Sequence, residues 1–252
     1  MQRIRVAPMR RTFADLHLCP DVADAERVLR VVDKASRLGY RLAAATFPLN
    51  FAEANVKGLL DVCREVKIDL ATRVDLKPKT SQELLKALRR FRRRFEIVAV
   101  ICESKDVARQ AAKDRRVDLL NFSLLDFRRR FFDLAEAELA SNGLAALEID
   151  MKPLLTLEGS SRIRLLSSLR RETAIAKAFG VPIIISSGVS DELLMRKPLE
   201  QAALANLFDL EPAVALEAVS AKSLSIVKRN REKLSPKFIA PGIRVVRRGK
   251  DC

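Results

Sequence analysis

The chain has 252 residues, of which 48% are hydrophobic and 31% charged, enough for one large α/β domain or two small ones with a full core. Its 47 lysines and arginines outweigh 32 aspartates and glutamates, leaving a net charge of +15 and a surface that attracts polyanions, nucleic acid foremost, unless the bias reflects only solubility or a basic proteome. A helical membrane span is excluded, because apolar runs such as 181–185 are strand-sized against the ~20 residues a span needs.

In chain order, the N-terminal run MQRIRVAPMRR is basic but lacks the apolar stretch of a secretory signal, so a cytoplasmic protein is expected. Short apolar runs then alternate with longer amphipathic ones. Strands are predicted over 13–18, 41–46, 69–74, 97–102, 117–122, 145–149 and 181–186. Helices are predicted over 21–38, 81–90, 104–115, 131–141 and 161–179, the first stopping at Gly39, the fourth at Asn142-Gly143 and the fifth at Gly180. After Gly188 the pattern turns helical, over 195–208, 211–220 and 223–233, without a clear eighth strand. Seven strands alternating with helices imply a parallel sheet, and the absence of G-x-G-x-x-G after the first strand favours a barrel over a dinucleotide-binding open sheet. The expected fold is therefore a TIM-barrel-like (β/α) barrel, irregular at its C-terminal closure, over 1–234, followed by a basic tail over 235–252.

Candidates for chemistry are few. Cys19, Cys63, Cys102 and Cys252 are far apart and read as reduced thiols. The single histidine, His17, lies in Asp15-Leu16-His17 at the end of the first strand. D-L-H resembles the start of the D-x-H-x-H metal motif of the PHP phosphoesterases, but Cys19 stands at the second position, and one histidine cannot assemble a cluster held by several imidazoles. Asp15, Asp75, Glu148 and Asp150 at strand ends are the best enzyme candidates; salt-bridging to neighbouring arginines is the preferred reading of all four. Ser186-Ser187-Gly188 is a weak anion-nest signal. Basic clusters recur at 86–94 (KALRRFRRR), 127–132 (FRRRFF), 162–171, 228–233 (KRNREK) and 244–250, either as solvated helix faces or as a broad surface for phosphates.

The segments LEIDMKPLLTLEGSSRIR, LLSSLRRE, VPIIISSGVS, MRKP, AALANLF, ALEAVS and SIVKRNREKLSP follow one another from Leu147, after the earlier FADLHL and ATRVDL. Their order and spacing resemble the TIM-barrel protein subunit of archaeal and eukaryotic ribonuclease P, component three in archaea, over nearly the whole chain. The resemblance implies a distorted barrel related to the PHP phosphoesterases, without their metal site. It also implies an archaeal type of ribonucleoprotein acting in 5′ maturation of precursor tRNA, with catalysis and Mg²⁺ belonging to the RNA subunit. The implied partners are the ribonuclease P RNA, precursor tRNA indirectly, and a smaller protein subunit of ferredoxin-like fold. The RNA-binding positions it implies are Arg73, Lys152, Arg162, Ser186, Ser187, Arg196 and Arg231, with lysine at 152 where the family pattern suggests arginine. Lys77, just past the third strand, joins them on position alone. In a barrel these residues converge on the rim beyond the strand C-termini, and Arg73 serves there either as an RNA contact or as the partner of a strand-end carboxylate. The alternatives are a free-standing barrel phosphoesterase or nuclease of the PHP type, and a generic basic nucleic-acid binder.

Overall fold

The computed structural model describes residues 11–50, 53–122, 130, 132–240 and 242–246. Seven strands form one parallel sheet in sequential order: β1 (Phe13–Leu18), β2 (Tyr40–Thr46), β3 (Asp69–Leu76), β4 (Ile97–Cys102), β5 (Leu119–Phe122), β6 (Ala146–Asp150) and β7 (Ile183–Ser186). Parallel strands are covered on both faces, which is why runs such as IVAVIC are apolar without alternation. The helices α1 (Ala25–Leu38), α2 (Glu53–Glu65), α3 (Ser81–Phe91), α4 (Lys105–Lys113), α5 (Leu134–Ser141), α6 (Lys152–Thr156) and α7 (Gly159–Ala178) connect them, α6 and α7 sharing the last crossover.

Local chemistry sets the helix ends. The side chains of Asp24, Thr80 and Ser104 accept from Arg27 N, Glu83 N and Val107 N, and Asp133 with Glu136 forms a full capping box. Gly39 ends α1 at φ 104°, a conformation that favours glycine. The buried face of α1 reads Val28, Val31, Val32 and Ala35, the helical spacing of a helix laid on a sheet.

Closure is irregular, as expected. β7 approaches β1 only at the strand C-terminal end, where Val189 bridges Leu18 and Cys19 N donates to Val189 O at 2.8 Å. Lower down, Ala14 N donates to Val219 O at 3.0 Å, so the junction between α9 (Pro212–Ala218) and α10 (Ala221–Leu234) fills the seam that an eighth strand would seal. α10 then crosses the N-terminal end of the barrel. Its Ile226 and Val227 plug an interior of small and branched side chains, among them Ala14, Leu16, Leu42, Ala44, Ile97 and Ile184.

Three segments differ from the sequence reading. Helix α2 was not expected, and α6 is a single turn after β6. The helix expected over 195–208 starts only at Pro198 and divides into α8 (Pro198–Leu204) and a 3₁₀ turn at Ala205–Phe208, with a separate 3₁₀ turn at Glu192–Leu194 before it, because Pro198 sets a fresh helix start. Within the tail, β8 (Phe238–Ala240) and β9 (Ile243–Arg244) form a short antiparallel hairpin. Among the described residues no helix is long and apolar enough to cross a membrane.

The plug generates a stability prediction. Ile226→Ala empties part of a closed interior and lowers unfolding stability by about 2–5 kcal/mol. Leu193→Ala, at a side chain 77% exposed, changes it by less than ~0.5 kcal/mol, and urea unfolding of both variants checks the contrast.

Candidate functional site

Strand alternation points Arg73 and Asp75 of β3, and Glu148 and Asp150 of β6, into the mouth of the barrel. β1 departs from alternation. Asp15 pairs with Ala43 and Leu18 with Ala45, so β1 spends one residue more than β2, a bulge that turns both Leu16 and His17 inward. Asn121 of β5 and Ser186 of β7 complete the ring.

Arg73 sits at its centre, fully buried and the largest enclosed side chain. Its guanidinium forks onto Glu148 with Nη1–Oε1 at 2.6 Å and Nη2–Oε2 at 2.7 Å, while Nε reaches Asp75 Oδ1 at 2.7 Å and Nη1 also donates to Leu16 O at 2.7 Å. Four of its five N–H groups are thus committed. Ser186 Oγ donates to Glu148 Oε1 at 2.8 Å, and Asn121 Nδ2 bridges Glu148 and Asp150, 2.9 Å from each.

His17 lies between two carboxylates, Nδ1 2.7 Å from Asp150 Oδ1 and Nε2 3.1 Å from Asp75 Oδ2. Both ring nitrogens face acceptors, so the doubly protonated ring fits. Burial and the Arg73 charge press its pKa down, but Asp150 and Asp75 outweigh them and hold it well above the ordinary histidine value. Burial would raise Asp75, yet Arg73 and His17 hold it well below the usual carboxylate range; Asp150 is lowered against burial by His17. Asp15 is different. Its Oδ1 accepts from His17 N at 3.1 Å and Ser187 N at 3.0 Å, its Oδ2 has no hydrogen-bond partner among the described residues, and burial raises its pKa.

His17, Glu148 and Asp150 bring donor atoms within 4.8 Å of one another, the spacing of a metal site. The donor set does not fit a cation. Both Glu148 oxygens hold Arg73, His17 Nδ1 faces Asp150, and the guanidinium already supplies the positive charge. Within the ring, Arg73, His17, Asp75, Glu148 and Asp150 are each engaged by a partner of opposite charge. The arrangement can neutralise buried carboxylates and hold β1, β3, β5, β6 and β7 in register.

The sequence-predicted residues divide. Asp75 and Glu148 pair with Arg73, in line with their salt-bridge reading. That reading is corrected for Asp150, whose ion pair is with His17 rather than an arginine, and for Asp15, which makes no ion pair among the described residues because it accepts backbone amides instead. The expectation that Arg73, Ser186 and Ser187 touch RNA is corrected, because all three are enclosed. The S-S-G segment is a clasp rather than an anion nest: Ser187 N donates to Asp15, Ser187 Oγ to His17 O at 3.2 Å, and Gly188 N to His17 O at 2.9 Å. Gly188 has φ 65°, and a Cβ there would lie 2.8 Å from Asp150.

Arg231 is corrected in position. It lies at the opposite, N-terminal end of the strands, paired with Asp69 and Glu96. Lys77, Lys152 and Arg162 do stand on segments leaving the C-terminal ends of β3 and β6. Lys77 is exposed with no partner among the described residues, Lys152 Nζ is 3.4 Å from Ser190 Oγ, and Arg162 Nε donates to Leu157 O at 2.5 Å. Arg196 donates to Leu193 O and Met195 O and lines a cleft with Leu155 and Leu207. Of the aromatic–basic cluster over 127–132, residues 127–129 and 131 lie outside the described residues. Arg130 is buried against Glu172, and Phe132 is buried edge-on to Phe122. Sequence reasoning missed Asn121 as the bridge between two carboxylates.

The family model described as RNase P subunit p30 matches residues 12–235. Ribonuclease P protein component 3 of Methanosarcina acetivorans is 33% identical over 173 residues, covering 69% of this chain and 71% of that protein. The component 3 of Methanothermobacter thermautotrophicus is 25% identical over 240 residues, covering 93% of this chain and 95% of the relative. Among solved structures, a chain in the cryo-EM structure of archaeal ribonuclease P with mature tRNA superposes with a TM-score of 0.80 at 21% identity, covering 94% of this chain and 100% of that one, a likeness of fold.

Two predictions come from the ring. Arg73→Met leaves buried carboxylates without their cation and lowers stability by about 3–5 kcal/mol. Adding Glu148→Gln restores part of the loss, and denaturant unfolding of the single and double variants measures the coupling. The second concerns pH. The folded-state pKa of His17 is raised, so its contribution is fully present below its unfolded pKa and is lost as pH rises through the folded value. Wild-type stability therefore falls on going from neutral to alkaline pH, and His17→Gln flattens that limb in thermal unfolding measured across the range.

Proposed function

The chain belongs to the RNase P subunit p30 family, and from that membership we propose that it is a protein subunit of ribonuclease P, acting in 5′ maturation of precursor tRNA. The observation that carries this reading is the family match, which runs through every strand of the barrel. The saturated mouth supports a non-catalytic role: a cation of the chain itself stands among the carboxylates, and a PHP-type phosphoesterase would need those carboxylates for metal. Catalysis, with its Mg²⁺, then rests with the RNA subunit of a cytoplasmic ribonucleoprotein. A smaller ferredoxin-like subunit is the proposed protein partner. Lys77, Lys152, Arg162 and Arg196, which make no ion pair among the described residues, are proposed contacts for RNA phosphates, which position RNA without reading its sequence.

Reconstitution tests the proposal. RNA-free protein incubated with precursor tRNA and Mg²⁺ gives no cleavage. Cleavage at the mature 5′ end appears with the ribonuclease P RNA and the other protein subunits, and at low Mg²⁺ it falls when this chain is left out. Protein-dependent cleavage without RNA, abolished by Asp150→Ala, would overturn the proposal in favour of a phosphoesterase.

A further inference from the structure

The N-terminal end of the barrel, opposite the ring, gathers an unusual concentration of positive charge. Arg92 and Arg93 stand in the α3–β4 turn, Arg115 and Arg116 in the α4–β5 turn, and Arg229 and Lys233 on the last turns of α10. All but Arg229 line a cleft of about 560 Å³, with Phe238 and Ile239 of the hairpin as its apolar side.

Ion pairing does not neutralise this group. Arg92 and Arg229 share one buried carboxylate, Asp118, each 2.8 Å from one of its oxygens, and Arg116 pairs with Asp114 at 2.7 Å. Arg93, Arg115 and Lys233 have no ion pair among the described residues. Six cations thus meet two carboxylates. Lys233 registers the crowding: burial, then Arg229, Arg92 and Arg115, lower its pKa against the pull of Asp118. Like charges held this close raise the energy of the unliganded surface, and an anion with several oxygens relieves them. Five of the six are arginines, whose planar fork matches phosphate oxygens two at a time. Phe238, partly exposed at the edge, offers an aromatic face beside the cations, the pairing that single-stranded RNA uses.

We propose that this cleft binds the phosphate backbone of an RNA segment, with Phe238 against one unstacked base. The site lies at the opposite end of the barrel from the rim where loops ordinarily carry function, and none of its lining residues is among the positions that the family resemblance implied. The inference rests on the reading of the chain as a ribonuclease P subunit, which supplies the RNA.

The test uses the full-length protein and transcribed ribonuclease P RNA in a salt titration of binding. Arg93→Ala with Arg115→Ala removes two exposed, unpaired cations and spares the fold. The expected result is affinity weaker by about tenfold or more and a log–log salt slope shallower by roughly 1.5–2. Phe238→Ala weakens binding by about tenfold with the slope unchanged. Arg27→Ala with Lys34→Ala on α1 removes the same net charge elsewhere and moves either quantity much less. The cleft is refuted if the Arg93/Arg115 variant binds like the α1 variant while Lys77→Ala with Lys152→Ala flattens the slope, an outcome that leaves the subunit reading standing. It is also refuted if the cleft variant keeps its RNA affinity but no longer joins another protein subunit. Failure of the wild-type protein to bind this RNA at low salt would remove the subunit reading, and the cleft with it.

Discussion

The interaction on which the architecture depends is the fork between Arg73 of β3 and Glu148 of β6, made across the barrel between strands that are not neighbours in the sheet. Taking a guanidinium and a carboxylate out of water costs several kcal/mol per ion, recovered only with near-ideal geometry and satisfied hydrogen bonds. Here the geometry is bidentate, and the remaining groups are met by Asp75, Leu16 O, Ser186 and Asn121. Such a fork tolerates no slip in register, so it ties the strand ends together from within. It also leaves Asp75 and Asp150 in excess, and His17 answers both.

Each compensation constrains the next. His17 reaches the two aspartates only because the bulge in β1 shifts its parity. The bulge in turn places Asp15 toward the seam, where it receives backbone amides from both sides, His17 N and Ser187 N. Gly188 must then pass within van der Waals contact of Asp150, which only a glycine permits. One buried cation, one bulge and one S-S-G clasp are thus a single device, and it closes the barrel at the end where barrels ordinarily carry chemistry. The half of the seam left open is filled from outside by the α9–α10 junction, which brings α10 under the barrel and its basic last turns to the opposite face.

Much of the fold was legible in the sequence, because parallel strands buried on both faces leave continuous apolar runs that alternate with capped helices. What escaped had physical reasons. α2 carries Gly58 in its middle and only a weak apolar stripe; α6 is too short for any period; and the run after Met195 reads as one helix unless Pro198 is given its full weight. Within the site, the i,i+2 spacing of Arg73 and Asp75, and of Glu148 and Asp150, was visible as a shared strand face. That Arg73 would meet Glu148 depends on closure across the barrel and left no local trace. The Asp15–His17 spacing misleads outright, since simple alternation puts both on one face and the bulge separates them.

The basic residues show the same limit from the other side. In sequence the arginines of KALRRFRRR or KRNREK carry no sign of which carboxylate each will meet. In the fold they separate into spent and unspent charge. Arg73 and Arg130 are buried against carboxylates, Arg231 is held by Asp69 and Glu96, and Arg92 and Arg229 divide one aspartate. A net charge of +15 therefore says that the surface is basic without saying where a polyanion lies. The cations without an ion pair among the described residues include Lys77, Lys152 and Arg162 around the strand C-termini and Arg93, Arg115 and Lys233 at the far end. A long polyanion that wraps the barrel meets both groups; one confined to the rim meets only the first. The crowding at Lys233 is worth relieving only for a ligand that reaches the second.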